Sequence, residues 1–310
     1  MSALTKVAIA AIAALLPTSA EAATESLHRE HVFPARPGQK VVVDVSFHEV
    51  EITARPGDTV EAVVDIEISG SASRVERLLR DLEPVFEQDE NRILIRSARS
   101  AGFSWGWGRV QGRVVIAMPP DLDLTVDSSS GETIMRGDFG RATVDVDASS
   151  GGTRLQGAAD AVAIDVSSGS VRLELDRPAE SVRVDTSSGS VELAGGARSV
   201  TISTSSGSIE ADGLLGDAVL DASSGSITAR WDAIASGAEV TADSSSGGVR
   251  LTFPAGTKLA GRVDTSSGDI RTDFPGDVFE RGSRLELAGG PDAVRISVDT
   301  SSGGVQLLAR

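Results

Sequence analysis

The stretch Val182-Arg183-Val184-Asp185-Thr186-Ser187-Ser188-Gly189-Ser190-Val191-Glu192-Leu193 decides the fold. Read as extended backbone, it puts Val182, Val184 and Thr186 on one face and Arg183 and Asp185 on the other. After the Ser-Ser-Gly turn, Val191 and Leu193 point in and Glu192 points out. Other parts of the chain keep the same phase: Val162, Ile164 and Val166; Ala218, Leu220 and Ala222; Val294, Ile296 and Val298. A period of two makes these strands with one buried face and excludes a helix, which would carry such apolar groups all round it.

The turn recurs. Ser-Ser-Gly ends at Gly131, Gly151, Gly169, Gly189, Gly207, Gly225, Gly247, Gly268 and Gly303, at intervals of 20, 18, 20, 18, 18, 22, 21 and 35 residues. Arg281-Gly282-Ser283-Arg284-Leu285-Glu286-Leu287 fits the last, long interval as a tenth turn, at Gly282, that has lost its serines. A glycine turn at a period near 20 marks a solenoid. One coil buries about four aliphatic groups, too few to offset the ordering of its backbone, so the coils must stack. Residues 121–310 therefore read as about ten coils of a parallel β-helix, right-handed by the crossover preference. The fold class expected is an all-β solenoid. Its core should be narrow and aliphatic, since aromatics make up 4% of the chain.

Residues 23–120 do not repeat and read as a β-rich capping region. Lys40–Ser46, Glu49–Ala54, Thr59–Ser69, Asn91–Ser97 and Gly112–Met118 have strand character. Between them Val75, Leu78, Leu79 and Leu82 lie at helical spacing. Ser73 and Glu76 match a capping box, which predicts a helix over Ser73–Leu82 that ends at Pro84.

Residues 1–22 read as a signal peptide: Lys6, an apolar run from Val7 to Leu16, then Ala20-Glu21-Ala22, with cleavage before Ala23. Ten apolar residues are too few to span a bilayer. The expected location is outside the cytoplasm, periplasmic or extracellular, with no membrane span in the mature chain. A net charge of -16, from 29 Lys+Arg against 45 Asp+Glu, argues against nucleic acid as a partner. With no Cys, disulfides, thiol catalysis and Cys-ligated zinc are excluded. The three histidines, His28, His31 and His48, all lie outside the repeats.

The order of these motifs resembles the bacterial adhesin family of unknown function. The resemblance spans about residues 31–310. It rests on Val41 to Ile52, the Gly-Asp-Thr-Val-Glu turn of Gly57 to Glu61, the entry Met118 to Gly131, and the run of Asp-x-Ser-Ser-Gly coils. It implies an exported protein with an adhesive or structural part to play at the cell envelope.

Four residues before each repeat glycine stand Asp127, Asp147, Asp165, Asp185, Ser203, Asp221, Asp243, Asp264 and Asp299. An outward column of carboxylates can be a cation ladder, calcium being the natural guest for oxygen ligands. It can also be turn chemistry, each carboxylate accepting backbone N–H groups of the serines that follow. The spacing lacks the repeat pattern of calcium-loaded β-rolls, which favours turn chemistry and no metal. The serines have no partner histidine within the repeats and no Gly-x-Ser-x-Gly elbow, so they read as turn residues. Glycine is expected to supply a positive φ there.

Phe103, Trp105 and Trp107 alternate with small residues and share one face if extended, a candidate surface for a sugar ring or a protein. They could equally plug the end of the rod. His28 and His31 form a weak two-ligand metal motif. Val305-Gln306-Leu307-Leu308 reads as the outermost strand of the last coil, an open edge for a second copy or an envelope partner.

The leading expectation is a non-enzymatic exported module with no cofactor, meeting an envelope protein or glycan or associating through its C-terminal coil. The rivals are a carbohydrate-active β-helix enzyme acting on acidic polysaccharide, and a self-assembling filament.

Overall fold

The structure is a computed structural model and describes residues 22–97, 109–279 and 282–310. Two sheets, of 13 and 14 strands, face each other across one continuous apolar core. They are called here sheet A and sheet B respectively.

Each Ser-Ser-Gly turn carries the chain from a strand of sheet B to one of sheet A. Seven layers follow in chain order: β8 (Asp123–Ser128) with β9 (Thr133–Asp138), β10 (Thr143–Ser150) with β11 (Thr153–Ala158), β12 (Ala161–Ser168) with β13 (Val171–Leu175), β14 (Ala179–Ser188) with β15 (Val191–Ala194), β16 (Ala197–Ser206) with β17 (Ile209–Leu214), β18 (Asp217–Ser224) with β19 (Ile227–Trp231), and β20 (Glu239–Ser244) with β21 (Val249–Phe253). Successive layers pair in parallel, and Val162, Val182 and Val200 stack in register as the two-residue period requires. The parallel solenoid is thus present.

The boundary expected at residue 120 does not separate a cap from a solenoid. β2 (Lys40–Val45) and β3 (His48–Ala54) form a further layer directly on β8 and β9. β6 (Arg92–Arg96) and β7 (Arg109–Met118) form the next one out. Val41, Val43, Val50 and Ile52 enter the same core as the repeats. The cap proper is β4 (Thr59–Ser71) and β1 (Ala22–Pro34), antiparallel beyond β7, with β5 (Val85–Gln88) antiparallel beyond β6. Helix α1 (Ala72–Asp81) covers this end through buried Val75 and Leu78, with Leu82 buried just past its last turn. The capping box is not formed: Ser71 is the N-cap residue and makes no side-chain capping bond.

The other end is also shuffled. β22 (Leu259–Thr265) and β23 (Ile270–Thr272) are the outermost parallel layer, while β26 (Val294–Thr300) and β27 (Val305–Ala309) lie inside them, against β20 and β21. Val305–Leu308 is therefore not an open edge; β27 is paired on both sides. The chain between, β24 (Asp277–Phe279) and β25 (Arg284–Ala288), turns back antiparallel and closes sheet B. Gly282 leads into that antiparallel strand, so it is not a tenth coil turn. Sequence similarity to other turns does not set its pairing, because Leu285 and Leu287 can bury against β22 in either strand direction.

The core is aliphatic through the middle of the rod. Near the C-terminal end it is aromatic instead. Trp231 stacks on Phe253 at 4.6 Å, Phe274 meets Phe253 edge-on at 5.9 Å, and the Trp231 indole N–H donates to the Gly216 carbonyl at 2.9 Å.

Candidate functional site

The parallel register turns one sequence position into a file of carboxylates on the outer face of sheet B. In spatial order it runs Asp44, Asp127, Asp147, Asp165, Asp185, Ser203, Asp221, Asp243, Asp299, Asp264. Neighbours stand about 4.8 Å apart along the rod. Asp44 escaped the sequence reading because Phe47-His48 stands where its coil would otherwise have Ser-Gly. The exchange of the last two layers places Asp299 before Asp264.

Each end of the file meets an arginine. Arg96, opposite Asp44, donates to its carboxylate at 3.1 Å. Arg284, opposite Asp264, donates at 2.9 Å, and Arg262 adds a second contact. Burial alone would raise the Asp264 carboxyl, but the two arginines outweigh it and hold it below the ordinary range. Within the file the balance is reversed. Burial, then the charges of Asp127, Asp165 and Asp145, push Asp147 up; burial, then Asp221 and Asp299, push Asp243 up.

The turn serines expected to donate to these aspartates have, at several corners, a backbone acceptor in the adjacent layer: Ser150 N–H donates to Ser129, Ser246 to Ser223 and Ser301 to Ser244, at 3.1–3.2 Å. The turn glycines do the same: Gly151 N–H donates to Ser168, Gly169 to Ser188 and Gly189 to Ser206, at 2.9–3.0 Å. At five of the turns a hydroxyl from the buried residue just before the Ser-Ser pair caps a glycine carbonyl of the neighbouring layer. Thr186 donates to Gly169, Thr204 to Gly189, Ser244 to Gly225, Thr300 to Gly247 and Thr265 to Gly303. The glycines are needed for approach more than for φ. In this column only Gly131 and Gly151 have positive φ, yet a Cβ on Gly169, Gly189, Gly207, Gly225, Gly247, Gly268 or Gly303 would lie about 2 Å from the carbonyl oxygen of the neighbouring glycine.

His48 occupies this glycine column, between Gly112 and Gly131. Its ring fills the space that a Cβ on Gly112 would take. It is fully buried, stacks on Phe47 at 4.3 Å, and both ring nitrogens lack a hydrogen-bond partner. Burial drives its pKa down to about 4.

The structure separates the other two histidines. An i, i+3 pair on a strand points to opposite faces. His28 bonds to Asp65 at 2.6 Å, whereas His31 stacks on Phe86 and packs tilted against Phe33, so the two cannot share a metal. Phe103, Trp105 and Trp107 lie outside the described residues. In the sequence they fall between β6 and β7. No helix among the described residues is long and apolar enough to cross a membrane.

No curated protein matches the chain. Among solved structures it is similar to a "putative lipid binding protein" of Parabacteroides distasonis, at 14% identity and TM-score 0.49, covering 91% of this chain and 96% of that one. It is also similar to a "putative adhesin" of the same species, at 13% identity and TM-score 0.45, covering 90% and 97%. A "putative adhesin" of Bacteroides fragilis matches at 12% identity and TM-score 0.39, covering 92% and 97%. The Toastrack DUF4097 family model matches residues 39–308, from the first strand of the stacked layers to the last, and the chain belongs to that family.

Proposed function

We propose that the chain is an exported, non-enzymatic interaction module of the cell envelope, adhesin-like in that it presents a rigid rod to a partner protein or glycan. The observation that carries this reading is the uniformity of the stack. The strands of successive layers are of similar length and pair in register, and the sequence between β6 and β7 holds Phe103, Trp105 and Trp107. Three aromatic rings so close in sequence suit stacking on a sugar or a protein surface. The acid file extends along the outer face of sheet B, its carboxylates strung out in a line rather than gathered around a point. No cofactor enters this reading.

The test is capture from an envelope extract by the mature chain, beside a Phe103→Ala/Trp105→Ala/Trp107→Ala variant. A partner retained by the first and lost by the second is the expected result. Equal capture by both removes the aromatic contact. Release of reducing ends from an acidic polysaccharide would overturn the non-enzymatic reading. N-terminal sequencing of the exported chain should begin at Ala23.

A further inference from the structure

Several arginines on the outer face of sheet A are matched by an acceptor on a neighbouring strand. Arg113 stands opposite Glu51 and donates to it at 2.8 Å. Arg172 stands opposite Glu192 and is ion-paired with it. Arg230 does the same with Asp212, and Arg250 donates to Gln306 at 3.0 Å. Across β9, β11 and β13, however, three successive layers carry Arg136, Arg154 and Arg172. The in-register neighbours of Arg154 are Ile134 and Arg172, one apolar and one of like charge. Like charges directly opposite destabilise a sheet. The nearby acceptor Glu174 is engaged, accepting from Gln156 at 2.8 Å and lying 3.8 Å from Arg172. Arg136 and Arg154 have no acidic partner among the described residues. Arg154 Nε is also the one arginine nitrogen there that is buried without an acceptor.

We propose that Arg136, Arg154 and Arg172 form a binding site for an acidic polysaccharide, with Arg154 as its anchor. Drawing the Arg154 side chain off the sheet frees Nε and a terminal nitrogen together, the edge of a guanidinium that takes a carboxylate or sulfate through two parallel hydrogen bonds. An oxyanion there supplies the missing acceptor and removes the repulsion between Arg154 and Arg172. Arg154 and Arg172 stand in register about one layer spacing of 4.8 Å apart, and Arg136 stands on the same outer face two residues along β9 from Ile134, the residue opposite Arg154. That geometry suits an extended chain with repeated anions better than an enclosed small ligand. The inference rests on sheet A alone and holds whether or not the chain is exported.

A protein of net charge -16 should repel a polyanion, which makes binding diagnostic. The experiment measures binding of the full chain to polygalacturonate, dextran sulfate and neutral dextran at low and high salt. Four proteins are compared: wild type, Arg154→Gln, Arg136→Gln/Arg154→Gln, and Arg183→Gln. Arg183 is an exposed arginine on the opposite sheet and serves as the control. The expected result is salt-sensitive binding to one or both polyanions and none to neutral dextran. Arg154→Gln should weaken it about tenfold, the worth of one charge-assisted bond. The double variant should weaken it further, and Arg183→Gln should leave it unchanged. No polyanion binding, equal loss in Arg183→Gln, or full binding by the double variant would each overturn the proposal. Unchanged melting of each variant shows that the fold is intact.

Discussion

Arg284 stands directly opposite Asp264 and donates to its carboxylate at 2.9 Å, terminating a file of aspartates whose other end, Asp44, is held by Arg96 at 3.1 Å. Like-charged neighbours inside the file repel, and the two ends are where that repulsion is relieved.

Neutralising the middle of the file should stabilise the rod. Asp147→Asn and Asp243→Asn each remove one carboxylate flanked by two others, worth a few tenths to about 1 kcal/mol by the usual cross-strand scale. Both groups have raised pKa values, so their protonated forms favour the folded state. The wild type regains this stability as pH falls through the carboxylate range and loses it as pH rises. The asparagine variants should therefore melt higher at pH 7, with the gap closing towards pH 3 and in high salt. A gap independent of both would refute the repulsion.

Arg284→Gln should act in the opposite direction. Asp264 is held below its ordinary range, so its stabilising share is present at neutral pH and lost as pH falls through that range. Removing Arg284 should cost about 1 kcal/mol at pH 7 and little at pH 3. Melting curves at the two pH values decide it.

His48 gives the protein a second pH window. An imidazole with an unfolded pKa of 6.5 and a folded pKa of about 4 must stay neutral to remain in its slot. Stability is full above pH 6.5 and declines from there down to pH 4, by about 3 kcal/mol in total. His48→Gly restores the residue found at this corner in the repeat layers. It should flatten the stability profile between pH 6.5 and pH 4, as measured by urea midpoints. A slope kept in the variant would assign the effect elsewhere.

Glycine substitutions should divide by contact. Gly189→Ala places a methyl 1.9 Å from the Gly169 oxygen and should cost several kcal/mol. Gly57→Ala, with nothing within 4 Å, should be neutral within about 0.5 kcal/mol. Similar losses for the two would remove the close-approach argument.

Inward and outward positions of one strand should differ as sharply. Val184 is buried and its neighbour Arg183 is exposed. Val184→Asp buries an unpaired charge and should unfold the layer, at a cost of several kcal/mol. Arg183→Asp should be mild, although it adds a charge beside the acid file. Equal melting temperatures would contradict the observed faces.

The repeat layers were legible because each carries its whole pattern locally: two-residue alternation, a glycine that neighbouring carbonyls approach, and a small polar pair at the corner. The β2–β3 layer was not recognised as one of them, since Phe47-His48 replaces the corner residues and only the register reveals Asp44 as a member of the file. The placement of β26 and β27 could not be read at all. Every parallel layer offers the same apolar stripe to its neighbours, so which free edge a strand takes depends on what the intervening chain, here β24 and β25, has already covered. The acid file was visible as a spacing. Its hydrogen bonding was not, because the turn N–H groups had a second acceptor, the next layer's carbonyls, that exists only once the layers stack.

The position of β26 and β27 also bears on how the molecule is made. Were the layers in chain order, the rod could zip up as each coil followed the last. Here β22 and β23 are specified before the layer that must lie beneath them, so they cannot take their final neighbours until residues 294–310 have arrived and slid into place. The expected consequence is that the far end of the molecule locks in one late, long-range step. A slow phase in refolding, abolished when residues 294–310 are supplied pre-joined next to β21 by circular rearrangement, would be its kinetic signature.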